Sequence, residues 1–181
     1  VIDAELFKGM KTSDNMKFED YHWGFEKEVV LPEIKSCQKI YMNFEMVDCI
    51  ADYYINDKLA YSSDNAFRTH VFEVSELVNS GRNKVMIHIK PALPYILSKR
   101  YAQGNIYSHQ SFAANLRKPV YCFGWDIMPR TISAGITRDV SIVIDDGCKI
   151  DEFSWCILQA NEDVAIVRFY VTIDMPYLEY K

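Results

Sequence analysis

The 181-residue sequence is most easily bounded by what it lacks. It has no CxxC pair, and its cysteines, Cys37, Cys49, Cys122, Cys148 and Cys156, are odd in number. Neither a disulfide framework nor a zinc knuckle is indicated, and the cysteines read as small reduced core residues. No apolar run approaches the ~20 residues needed to span a bilayer, so no membrane partner is expected. The opening Val1-Ile2-Asp3-Ala4-Glu5 lacks the basic and apolar regions of a signal peptide, which leaves the compartment open between cytoplasmic and secreted. No run of five like charges occurs, and a net charge of -5 argues against a nucleic-acid surface, which needs clustered Lys and Arg. No internal repeat or low-complexity tract is visible. His22, His70, His88 and His109 are scattered without ligand spacing, and His88 reads as solvated on an outer strand face. Asp145-Asp146 reads as a turn rather than a calcium site. Ser108-His109 and Ser111 have no nucleophile-elbow context. No metal or cofactor is expected.

What is present is a soluble, core-forming composition, 49% hydrophobic and 25% charged, with period-two patterning over most of its length. Phe25, Lys27, Val29 and Leu31 alternate with Glu26, Glu28 and Val30. Ile40, Met42, Phe44 and Met46 face away from Lys39, Tyr41, Asn43 and Glu45. The run Ala51 to Ile55 meets Asn56-Asp57, a pair suited to the positive φ of a tight hairpin, and Lys58 to Tyr61 returns. Phe67 to Val74 reads as a strand, followed by a helical turn at Glu76–Val78 capped by Ser75 and ended by Gly81. Val85, Ile87 and Ile89, then Val140, Ile142 and Ile144, repeat the alternation. Short strands at this spacing predict an all-β, antiparallel sandwich.

Two segments depart from that rhythm. Pro91 to Arg138 is a connection of unusual length, with a short helix expected in Ala92–Gln103; such connections are usually functional. After the turn signal Asp145-Asp146-Gly147, Ile150–Leu158 and Val164–Ile173 predict a hairpin joined by Ala160-Asn161-Glu162-Asp163. Two strands alone are marginal, so this pair reads as the opening of a second β domain.

The long connection holds the densest chemistry, from Arg117-Lys118-Pro119 through Phe123-Gly124-Trp125-Asp126-Ile127-Met128-Pro129-Arg130. An indole packs on the C–H face of a pyranose, and a carboxylate accepts directional hydrogen bonds from adjacent hydroxyls. The competing reading, favoured on composition alone, has Trp125 plugging the end of the sandwich and Asp126 paired with Arg130 or Arg117.

Arg117-Lys118 followed by Phe123-Gly124-Trp125-Asp126 and Pro129 resembles the RK…FGWDWGP segment of family 2 β-mannosidases. The ordered match runs from about residue 20 to 145. Phe25–Val29 with Leu31-Pro32 is similar to the family's first strand, and Ala51–Asp57 to its A-x-V-x-L-N-G hairpin. Asn65–Arg68, Phe72–Val74 and Leu77 resemble N-M-F-R…F-D-V-T-x-L-L. Gly81-Arg82-Asn83 resembles G-x-N, and Gly135–Val140 resembles G-I-x-R-x-V.

The resemblance implies a jelly-roll, galactose-binding-like sandwich over residues 1–147 and the first strands of an immunoglobulin-like domain over 148–181. A (β/α)₈ barrel would follow, carrying the two catalytic glutamates of retaining hydrolysis, so no catalytic residue is expected in this chain. The implied role is accessory: the chain helps shape the pocket for a terminal β-linked sugar, its carbohydrate partner, together with the barrel. Trp125 and Asp126 are the implied substrate-binding residues, and Arg117, Lys118 and Arg130 the implied braces of their loop. The family's second Trp and following Gly are replaced by Ile127 and Met128, which removes a flat face and a freely positive φ. The sugar is therefore left open among mannose, galactose and glucuronic acid. A lectin-like, non-catalytic carbohydrate-binding module and a purely structural spacer are the alternative roles.

Overall fold

The computed structural model describes residues 16–99, 115–124, 126–127, 129–145, 147 and 149–174. Eleven strands are named in chain order among these: β1 Trp23–Leu31, β2 Lys39–Phe44, β3 Val47–Asp48, β4 Ile50–Ile55, β5 Lys58–Ser63, β6 His70–Glu73, β7 Gly81–Lys90, β8 Gly135–Ile136, β9 Val140–Asp145, β10 Lys149–Ala160 and β11 Ala165–Asp174. One α-helix, α1, spans Ala92–Ser98.

Two antiparallel sheets form a sandwich, one in the order β1-β7-β4-β5 and the other in the order β6-β2-β9. The alternation in the sequence sets which face is inside. In β2, Ile40, Met42 and Phe44 are buried while their neighbours are half-buried, and in β7 Val85, Ile87 and Ile89 repeat the pattern. These side chains meet Ala51, Tyr53 and Ile55 of β4 and Phe72 and Val74 in one core. Its centre is aromatic: the Phe44 and Tyr53 rings lie 4.8 Å apart, and Phe72 stacks on Phe44 at 5.9 Å. The all-β sandwich expected from the sequence is the fold.

The Asn56-Asp57 turn takes φ of 49° and 64°, as a two-residue hairpin requires. The segment around Ser75 differs from expectation. The Ser75 hydroxyl accepts from Ile40 N–H and donates to Glu73 instead of capping a helical turn. A turn still forms, closed by Leu77 N–H and Val78 N–H on the Val74 carbonyl. Gly81, at φ +89°, opens β7 rather than ending a helix. The strand expected from Phe67 begins only at His70, and Phe67 is exposed.

A second apolar cluster sits beneath the long connection: Cys49, Ile50, Ala66, Ala92, Ile96, Leu116, Cys122 and Phe123. It joins the β3–β4 corner to α1 and to the returning chain. Beyond the sandwich, β10 and β11 pair with Trp155 opposite Phe169 and Phe153 opposite Val171. Every residue of this hairpin from Ile150 to Ile173 is exposed, and Trp155 and Phe169 retain 59% and 60% of their surface.

Candidate functional site

The segment 115–134 is irregular because it is punctuated by Pro119, Gly124 and Pro129 and anchored through side chains. Its entry is fixed by the main chain: Ala66 N–H donates to the Arg117 carbonyl at 2.8 Å, and Asn65 bridges to Arg117. The Arg117 side chain is exposed. Next in sequence, Lys118 points the other way and is 2% exposed. Its ammonium donates to both Asp48 carboxylate oxygens at 2.5 Å, to the Ser133 carbonyl at 2.6 Å and to Ser133 Oγ at 3.2 Å. Ser133 Oγ also donates to Asp48 Oδ2 at 2.6 Å. A buried charge is tolerated only when it is paired and its hydrogen bonds are satisfied, as here.

After Pro119 the chain makes a short 3-10 turn, Val120–Phe123, which drops Cys122 and Phe123 into the second cluster. It leaves that turn at Gly124, whose φ of +96° is accessible to glycine at little cost. The loop closes on itself through Thr131 N–H to the Cys122 carbonyl at 3.0 Å. At the exit, the Arg130 guanidinium forms a two-pronged pair with Glu19: Nε to Oε1 and Nη2 to Oε2, both 2.6 Å. The Glu19 hydrogen bonds raise the Arg130 pKa further, against the opposing effect of burial.

Between these anchors lies the tip. Asp126 is exposed, and Ile127 is 87% exposed. Trp125 and Met128 lie outside the described residues. Arg130 is engaged by Glu19, and no ion pair among the described residues holds the Asp126 carboxylate. The expected alternative, Asp126 neutralised by Arg130 or Arg117, is therefore not what forms.

Glu19, Asp48 and Ser133 were not singled out by sequence reasoning. Asp48 had a readable signal, a carboxylate inside the apolar stretch Val47–Ile50, where an unpaired charge would be costly. Glu19 and Ser133 had none. Burial, followed by the nearby Asp48 charge, pushes the Cys49 thiol up to about 12. It is a protonated core group and no nucleophile. Elsewhere, His22 Nδ1 and His88 Nε2 lie 2.8 Å apart in stacked rings on an outer strand face. Asp145 accepts from Gly147 N–H and so shapes the turn. No group of three or more metal-ligating side chains occurs among the described residues.

The chain as a whole has counterparts among known proteins. Residues 2–138 match the family model described as glycosyl hydrolase 2 galactose-binding domain-like. The chain belongs to that family. A probable β-mannosidase of Caenorhabditis elegans is 25% identical over 171 residues, which cover 86% of this chain and 19% of that protein. A β-mannosidase of Rattus norvegicus is 26% identical over 158 residues, 80% of this chain and 18% of that protein. The chain thus spans about a fifth of the curated relatives it matches. Among solved structures, a β-D-mannosidase of Dictyoglomus thermophilum superposes with a TM-score of 0.71 at 22% identity, over 94% of this chain and 21% of that one. The family description and the observed fold agree: this chain contains a galactose-binding-like sandwich.

Proposed function

We propose that this chain is the accessory sandwich of a larger, retaining exo-β-glycosidase of the β-mannosidase type. In this reading Asp126 reaches into the pocket for the terminal sugar of a β-linked carbohydrate, and Trp125 forms part of the pocket wall. Arg117, Lys118 and Arg130 brace the loop that carries them. Residues 1–147 are the sandwich domain, and residues 148–181 open an immunoglobulin-like domain whose remaining strands cover the exposed apolar face of the β10–β11 hairpin. Hydrolysis itself would be carried by two glutamates on a barrel domain.

One observation carries the reading: Asp126 is exposed at the loop tip while the nearest arginine in sequence, Arg130, is committed to Glu19. A carboxylate that is neither buried nor paired can accept hydrogen bonds from vicinal hydroxyls, which are charge-assisted and directional. The family membership and the mannosidase names of both curated relatives favour mannose as the sugar. With Ile127 in place of a second indole, a β-galactoside or β-glucuronide is the competing substrate.

The test is Asp126→Ala in the full-length protein, assayed on aryl β-mannosides, β-galactosides and β-glucuronides. We expect kcat/KM on the preferred glycoside to fall by about 100-fold or more, as for loss of hydrogen bonds to a charged acceptor in a desolvated site. The chain of residues 1–181 alone should hydrolyse none of them. Unchanged turnover of all three classes by Asp126→Ala would refute the pocket role.

A further inference from the structure

Resting on the pocket reading of Asp126, we propose that Glu19 and Asp48 are positioning residues that hold the loop tip from outside the loop. Neither is near it in sequence: Glu19 is 111 residues from Arg130, and Asp48 is 70 from Lys118. Together they grip both stems of the loop. Asp48 fixes the entry by binding Lys118, and Ser133, bound by the same ammonium, ties the exit to the entry. Glu19 fixes the exit a second time through Arg130.

The two grips adjoin. Glu19, Asp48, Lys118 and Ser133 line one cavity of about 10 Å³, alongside Tyr21 and Trp23. The Lys118–Asp48 pair is withdrawn from solvent, with side-chain exposures of 0% and 6%, so screening of that pair is weak, while Arg130 keeps partial access to water. Glu19 and Asp48 retain only 7% and 4% of their surface. Thr131 N–H to the Cys122 carbonyl joins the stems close to the tip, and a neutral hydrogen bond is weaker than a charge-assisted one. Two charge-assisted clamps on opposite stems restrict the tip further. A binding carboxylate misplaced by an ångström loses much of its contribution, which gives the clamps a functional consequence beyond stability.

Glu19 also lies just before β1, and its neighbours Phe18, Tyr21 and Trp23 line the same cavity as Lys118 and Ser133. Its pairing with Arg130 couples the entry of the first sheet to the tip. The arrangement therefore assigns positioning to a short acidic stretch that carries no recognisable motif.

Full-length protein carrying Glu19→Gln, or the charge-free pair Asp48→Asn with Lys118→Met, is compared with wild type in two arms. The paired substitution avoids leaving a lone buried ammonium, so a folding failure in Asp48→Asn alone does not decide the matter. In the first arm, amide hydrogen exchange is followed by mass spectrometry. Residues 120–131 should exchange at least tenfold faster in each variant, while β4 and β7 keep wild-type protection. Wild-type exchange in the loop in both variants overturns the clamp, whatever the kinetics. In the second arm, Glu19→Gln should lower kcat/KM about tenfold, mainly through KM, and should add no further loss in an Asp126→Ala background. Arg130→Lys, which keeps the charge but not the two-pronged geometry, should fall between. Losses that multiply in the double variant overturn positioning through Asp126. Undiminished turnover by Asp126→Ala refutes the pocket reading alone, and the exchange arm then still judges the clamp.

Discussion

Asn83→Leu is the sharpest test of how the sandwich is held together at the end opposite the loop. Asn83 is 2% exposed and uses its whole amide. Its oxygen accepts from Asn79 N–H at 2.8 Å and from Asn56 Nδ2 at 2.9 Å. Its nitrogen donates to the carbonyls of Asn79 at 2.7 Å and Gly81 at 3.0 Å. Asn56 in turn donates to the Leu77 carbonyl and accepts from Lys84 N–H. The pair thus pins the 77–81 turn to the β4–β5 hairpin and to the start of β7. Leucine shares the branching and heavy-atom count of asparagine but carries bulkier methyl groups, so the substitution removes the hydrogen bonds without opening a cavity.

Four bonds at about 1 kcal/mol each set an upper figure of about 4 kcal/mol. Asn79 is exposed, so water can re-satisfy its two groups, which lowers the figure to about 2 kcal/mol at the other extreme. For a chain of this size, each kcal/mol moves the melting temperature by about 2–4 °C, so Tm should fall by about 5–15 °C. Thermal unfolding followed by far-ultraviolet circular dichroism measures it, with Arg82→Leu as the neighbouring control. Arg82 is exposed and should shift Tm by less than about 2 °C. A Tm for Asn83→Leu within 2 °C of that control would refute the account of this asparagine as a structural hub.

Three further outcomes are expected. Lys118→Ala, which strands a buried Asp48 carboxylate, should destabilise by about 3–5 kcal/mol, and Asp48→Asn with Lys118→Met by markedly less; equal losses in urea melts would contradict the role of pairing. Gly124→Ala must place a side chain at φ +96° and should cost about 1–2 kcal/mol, measured the same way, while a neutral substitution would mean the loop relaxes freely. Burial raises the Cys49 thiol from 9.0 to about 12, so its contribution is intact below pH 9 and is lost as pH climbs towards 12, by up to about 4 kcal/mol. Urea melts at pH 8 and pH 11 should converge in Cys49→Ala relative to wild type; parallel behaviour of the two proteins would count against it.

The sandwich was legible because its signal is local. A period of two in Ile40–Phe44 and Val85–Ile89 fixes which side chains face inward, and burial then leaves little choice of register. Asn56-Asp57 was legible for the same reason, since few pairs accept positive φ twice in succession. The Ser75 segment misled because a serine before a short apolar run fits a helix cap and a strand-linking turn equally well. What decided it was a distant partner, the Ile40 N–H. The same limit hid the anchors of the candidate site. Arg117 and Lys118 were read together as braces of the loop, yet the Lys118 side chain is buried and the Arg117 side chain is exposed, and the difference lies in Asp48 and Ser133. Pairings across 70 and 111 residues leave no trace in spacing.

The placement of buried charge also bears on what the sandwich is for. A core of the kind built around Phe44, Tyr53 and Ile55 stabilises a sandwich without ions. A buried ion pair contributes little net stability over an apolar substitute of equal shape, because desolvation consumes most of the attraction. The buried or nearly buried ion pairs Asp48–Lys118 and Glu19–Arg130 nevertheless both occur at one end, beneath the loop that bears Asp126. Elsewhere, pairs such as Lys84–Glu26 and Lys39–Glu73 are solvated and cheap. What an apolar substitute cannot supply is direction, since a carboxylate gripped in two places admits one orientation of its partner. On the proposed positioning role, the cost of burying these two pairs is offset by the orientation they give the loop.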